Sequence, residues 1–186
     1  MDKNKCYELA DIDPALECDA QDNIGGIVPR IIFGYHEDVA TWPDKPTSGS
    51  GALQLDAAGA LSGDVVMNNG CKAYSLSFTD NTGVFTIKPQ GETGGESFLY
   101  ELTIISAKVR KKGRKLFIIV EDNNGLNYLM GDKSHGAMLA ADSDGATTGT
   151  AYTERSQTTM KFQYNCTRAL VYEGDTENIL TVAAGG

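Results

Sequence analysis

Phe98 to Ile105 alternates: Phe98, Tyr100, Leu102 and Ile104 share one face of an extended chain, and Leu99, Glu101, Thr103 and Ile105 share the other. Period two predicts a strand, and the partly apolar second face predicts some cover on both sides. Leu116–Glu121, LFIIVE, is a short apolar run rich in β-branched residues, and Leu126–Met130, LNYLM, follows it across Asp122-Asn123-Asn124-Gly125. Asn-Gly between two apolar runs predicts a hairpin with a type I′ turn, Asn124 and Gly125 both at positive φ. In Thr158–Asn165, Met160, Phe162 and Tyr164 oppose Lys161, Gln163 and Asn165, the pattern of a half-buried strand. Ile27–Tyr35, IVPRIIFGY, reads as the first core strand, with Pro29 marking an edge or a bulge. Cys71–Thr79 and Val84–Lys88 flank the turn Asp80-Asn81-Thr82-Gly83, which predicts a second hairpin, Tyr74 to Lys88. Shorter strands are expected at His135–Ala140 and Arg168–Glu173.

Between the strands, residues 43–51 and 89–96 are loops by composition, and 133–149 is rich in Gly, Ala, Ser and Asp. Residues 106–115 admit two readings. One is a short helix from Ser106, ended by Gly113, a poor residue for a helix interior. The other is a hairpin turning at Lys112-Gly113. Many strands at roughly ten-residue spacing predict an all-β fold: a β-sandwich or barrel of antiparallel strands with one short helix and extended arm and loops. The expected division is an acidic arm over 1–26, a β-domain over 27–177 and a tail over 178–186 that is mobile or docks on a neighbour.

A chain of 186 residues suits one domain that buries roughly 70% of its unfolded surface without a metal or disulfide staple. Its net charge of −9 argues against tight wrapping of nucleic acid, which needs Lys and Arg to replace counterions, and is compatible with a surface along which DNA slides. The N-terminus lacks the apolar core of a signal peptide, and no run of about 18 apolar residues predicts a membrane span. The four cysteines, Cys6, Cys18, Cys71 and Cys166, form no C-x-x-C pair; reduced thiols are expected, with a Cys6–Cys18 bridge as the alternative.

The two histidines, His36 and His135, stand in no zinc-binding spacing. His36-Glu37-Asp38 could be offered as an acid–base cluster, but adjacent residues on a strand point to opposite faces. Asp142-Ser143-Asp144-Gly145 lacks the spacing and terminal Glu of a calcium loop. No nucleophile elbow or phosphate loop is present. Trp42, the only Trp, reads as an anchor at the core edge. No catalytic, cofactor or metal site is expected.

Two stretches carry unbalanced charge. The arm holds Glu8, Asp11, Asp13, Glu17, Asp19 and Asp22, interleaved with apolar Tyr7, Leu9, Ile12 and Leu16. It is either a frayed terminus or an element that orders against a neighbouring subunit. The run Lys108, Arg110, Lys111, Lys112, Arg114 and Lys115 is either a solvated face or the contact for such an arm. No aromatic residue interleaves it, which places nucleic-acid binding last. Tyr7, Leu9, Ile12, Leu16, Lys108, Arg110, Lys111, Lys112 and Arg114 are therefore the candidate inter-subunit contacts. Opposite charges on one chain suit head-to-tail association, which generates rings or filaments.

The order of features is the cysteine-containing arm reaching Gly25-Gly26-Ile27, FLYELTI, a basic linker, LFIIVEDNNGLNYLMGD, a Thr147-Thr148-Gly149 loop and a closing TMKFQYN. It resembles small structural proteins of tailed bacteriophages and prophages, most like those of Bacteroidetes hosts, and by architecture the tail tube proteins. The resemblance covers most of the chain as pattern; its most specific part is VEDNNG with Leu126–Asp132. It implies a homo-oligomeric virion tail subunit, assembled in the host cytoplasm, without catalysis or cofactor. Stacked rings, usually hexameric, would enclose an acidic channel through which DNA passes without tight binding. Its partners would be copies of itself and other tail proteins, with no membrane. The short, Gly-broken 108–115 segment departs from the flanking helix of that family. Alternatives are a tail terminator, connector or head decoration protein, and a carbohydrate- or protein-binding β-sandwich module.

Overall fold

The computed structural model describes residues 25–46, 60–91, 97–106, 113–140, 145–147 and 157–181. The chain is all-β. The strands are β1 (Ile27–Tyr35), β2 (Val39–Thr41), β3 (Val66–Met67), β4 (Tyr74–Ser77), β5 (Val84–Gln90), β6 (Ser97–Ser106), β7 (Leu116–Asp122), β8 (Asn127–Met130), β9 (Met138–Leu139), β10 (Gly145–Thr147) and β11 (Gln157–Cys166). Helical structure among the described residues is limited to two 3-10 turns, His36–Asp38 and Asn178–Leu180. The helix-or-hairpin alternative for 106–115 falls on residues 107–112, outside the described residues.

All strand pairings are antiparallel. The two larger sheets run β4-β1-β7-β8 and β10-β11-β6-β5, with β9 also paired to β11, and β2 pairs with β3 in a small third one. The two sheets face each other. Ile31, Phe33, Leu116, Ile118, Val120 and Met130 of the first interlock with Phe98, Tyr100, Leu102, Ile104, Met160, Phe162 and Tyr164 of the second. These are the alternating residues of β6 and β11, because period two delivers every second side chain to one face.

β7 is buried on both faces. Its other side presents Phe117 and Ile119, which with Ile32 and Leu129 pack under Leu61, Val65, Met67, Leu170, Tyr172 and Ile179. That third layer is mostly irregular backbone, so its polar groups need partners. The N–H of Leu61 donates to Val171, that of Tyr172 to Asn127 and that of Ala73 to Ile179. Two enclosed tyrosines help: the Tyr172 hydroxyl accepts from Val65 N–H at 3.2 Å, and the Tyr100 hydroxyl from Leu170 N–H at 3.0 Å.

Four expectations change. The 122–126 connection is a hairpin, but only Gly125, at φ 82°, is left-handed. Gly125 N–H donates to the Asp122 carbonyl and Asp122 N–H to that of Leu126, so a turn centred on Asn123-Asn124 is followed by a Gly bulge. The Asp122 carboxylate selects it by accepting from Asn124 and Leu126 N–H. Second, Tyr74–Lys88 is not a hairpin: β4 pairs with β1 and β5 with β6, so the Asp80–Gly83 turn carries the chain from one sheet to the other. Third, Arg168–Glu173 is no strand; its apolar residues lie over a sheet face with isolated bridges at Tyr172. Fourth, the tail begins docked on its own chain, Ile179 being buried in the third layer. Pro29 does mark a bulge: register shifts between Ile27 and Ile31 on β7.

Gly34 lies on β1 where Phe117 crosses it. A β-carbon there would sit 2.5 Å from the ring of Phe117, which is itself fully buried. Gly34→Ala is expected to cost about 1–3 kcal/mol in urea denaturation. Phe117→Leu, destabilising alone, should recover part of that loss in the double variant, because the two sites share one space. Strict additivity would contradict the packing described.

Candidate functional site

Of the candidate inter-subunit residues, Tyr7, Leu9, Ile12, Leu16, Lys108, Arg110, Lys111 and Lys112 lie outside the described residues. So do Cys6 and Cys18, whereas Cys71 and Cys166 are free thiols. Arg114 is described. Its guanidinium sits 4.2 Å from the centre of the Tyr35 ring and 2.6 Å from Glu37 Oε1, so part of its charge is answered within its own chain. Such an exposed pair contributes little stability and remains available to a partner.

Arg114 belongs to one pole of the molecule. β1 and β7 run antiparallel from Ile27 opposite Asp122 to Tyr35 opposite Leu116. The first pole thus holds Gly25-Gly26 and the 122–126 hairpin, stitched by Asn123, whose side-chain amide donates to the Gly25 carbonyl at 2.8 Å. The second holds Tyr35, Arg114 and Tyr74, because Tyr74 pairs with Phe33 across β4 and β1. Phe33, Gly34, Tyr35 and Tyr74 line a cleft of about 140 Å³. Tyr74 stacks on Phe33 at 5.9 Å and is 47% exposed. Lys72 Nζ lies 5.7 Å from the Tyr74 ring centre.

The densest polar cluster centres on Asp132, just past β8. Its Oδ1 accepts from the N–H groups of Ser134 and His135, both at 2.8 Å. Its Oδ2 accepts from the Tyr164 hydroxyl at 3.0 Å and Lys45 at 3.2 Å. Its carbonyl lies 2.7 Å from His36 Nε2, so that nitrogen carries the proton. His36 in turn packs on Trp42, which meets Phe117 edge-on at the core margin, as an anchor there should. Burial would raise the Asp132 pKa, but the two N–H groups, Lys45 and the Tyr164 hydroxyl outweigh it and hold it at about 2. Burial, with the Asp132 charge beside it, pushes the Tyr164 hydroxyl far above its ordinary value, and burial raises the Cys166 thiol to about 11. Neither is poised to ionise as a nucleophile at neutral pH. The cavity beside them measures about 20 Å³, room for one water. The cluster ties the 42–46 segment, β8 and β11 together.

A second carboxylate, Glu101, sits on the outer face of the β6 sheet. Lys88 of β5 pairs with it, Gln163 of β11 donates at 2.8 Å and Lys161 of β11 lies at 3.1 Å. Those bonds, Lys88 first, hold its pKa at about 2. The expected cover on the second face of β6 is thus supplied partly by long side chains of neighbouring strands.

Both carboxylates were missed as sites by sequence reading. Asp132 had a local signal, an Asp followed by Ser134 and His135 as in an Asx turn. Glu101 stood out only as an acid in an apolar strand, and its partners depend on cross-strand register. The chain matches no family model, no curated protein and no solved structure.

A carboxylate held below its unfolded pKa stabilises the fold above that unfolded value, and the contribution is lost as pH falls through the folded one. Asp132→Asn should therefore cost about 1–3 kcal/mol near neutral pH. The gap to the parent should hold down to pH near 3.8 and narrow toward about 2. Denaturation midpoints of both proteins across that range check this; a pH-independent gap would contradict it.

Proposed function

We propose that the chain is a virion structural protein, a tail tube subunit whose stacked rings enclose an acidic channel for DNA. The observation that carries this reading is the pair of open sheet edges on an all-β sandwich. β4 ends one sheet and β5 the other, and neither has a further strand partner among the described residues. β5 is seven residues long, and Val84 at its start is 56% exposed. An open edge is a template for pairing with another chain, and a sandwich with an open edge strand in each sheet can be joined around a ring. Lys88 and Pro89 at the far end of β5 limit the length of edge that can pair. The net charge of −9 supports a conduit that repels the DNA phosphates.

The arm over 1–26 supplies the link between successive rings in this reading. A terminator, connector or decoration role uses the same surfaces without filament growth. A carbohydrate- or protein-binding module finds support in the exposed Tyr74 of the second-pole cleft, whereas Trp42 is engaged with His36 and Phe117.

Deleting residues 1–22 should leave a folded chain that no longer polymerises. Circular dichroism and sedimentation velocity of the truncated and full chains, compared over rising concentration, check both halves of that statement. Equal assembly by the two chains would remove the arm from the mechanism.

A further inference from the structure

We propose that the second-pole cleft is the receptor for the N-terminal arm of the next copy, docking residues 1–24 of one chain between Tyr74, Tyr35, Lys72 and Arg114 of another. The inference deepens the assembly reading above and rests on it.

Three observations carry it. The first is polarity. The arm leaves the molecule at Gly25, fastened to Asn123 at the first pole, while the cleft lies at the opposite end of β1, roughly 26 Å away at strand rise. Donor and receptor therefore occupy opposite ends of every copy, the condition for a head-to-tail contact that repeats. Extended, the arm spans up to about 80 Å, enough to cross onto a neighbour. Docking within the same copy would require it to reverse at Gly25-Gly26 and return along the whole of β1.

The second is charge. Residues 8–22 carry Glu8, Asp11, Asp13, Glu17, Asp19 and Asp22 and no Lys or Arg. Around the cleft, Lys72 and Arg114 lie over aromatic rings and Lys115 is exposed. Glu37 answers Arg114 in part, so an arriving carboxylate would share that guanidinium or displace Glu37 from it.

The third is shape. The arm is not only acidic: Tyr7, Leu9, Ile12 and Leu16 alternate with its acids. A cleft of about 140 Å³ walled by aromatic rings accepts one leucine-sized or ring-sized side chain. Exposed Tyr74 forms the outer wall and is the residue that docking would cover. Tyrosine beside Arg is the composition of an interface hot spot.

The test uses the full chain with benzoylphenylalanine in place of Tyr74. Equal amounts of ¹⁵N-labelled and unlabelled protein are mixed, irradiated and digested for mass spectrometry. The expected result is links from position 74 to residues 1–24, about half of them joining a heavy to a light copy, the fraction random mixing of two equal pools gives. Assemblies that form without such links, or links confined to one copy, overturn the arm-to-cleft contact and leave the tube reading standing. Should sedimentation find only monomers, the tube reading fails on its own. A fluorescent peptide of residues 1–24 then decides the contact through its anisotropy with the full chain. Binding weakened about tenfold by Tyr74→Ser supports the contact; no binding, or binding unchanged by Tyr74→Ser, overturns it.

Discussion

The fold depends on a strand with no exposed face through its centre. Leu116 to Val120 are all buried, odd and even positions alike. A strand of this kind cannot close a two-layer sandwich, because one row of its side chains would lie in water. The second sheet covers Leu116, Ile118 and Val120; Phe117 and Ile119 demand another cover. The chain meets that demand with irregular segments around residues 61–73 and 169–180, whose backbone bonds to each other and to the edge of β8 replace the ladder they lack. Burying five such side chains supplies on the order of 10 kcal/mol before entropy is counted.

What remains outside that packed centre has a direction. One pole carries the start of β1 and the Asp122 hairpin, and the other carries aromatic residues with cations above them. The polar clusters stiffen this frame. Asp132 binds its own loop to β11 and to Lys45, and Glu101 clasps β5, β6 and β11 together. Open strands at the sheet edges and cations over aromatic rings at one end are the features on which the proposed contact with copies of the same chain rests.

The long strands were legible because alternation and an apolar run reflect burial directly. β1, β6, β7 and β11 fall where period and composition place them. Failures arise where the outcome depends on a distant partner. Asp80–Gly83 has the residues of a turn, but a turn does not record whether the next strand rejoins the same sheet. RALVYE has the composition of a strand, yet its apolar residues serve a sheet face. At Asn124-Gly125 the preceding Asp122 carboxylate captured the turn amides, and the loop took a bulge in place of a type I′ turn. The Glu101 clasp could be seen only once Lys88, Lys161 and Gln163 were in register. Of the candidate contacts, Arg114 lies among the described residues, beside Tyr35 at the second pole.

In the proposed reading this chain assembles with itself into a hollow tube. Negative-stain electron microscopy of the purified full chain, across concentration and salt, tests it most directly. Stacked rings or hollow tubes that become longer and more numerous as concentration rises are expected. A uniform field of single particles of the monomer's size at every concentration and salt would contradict it.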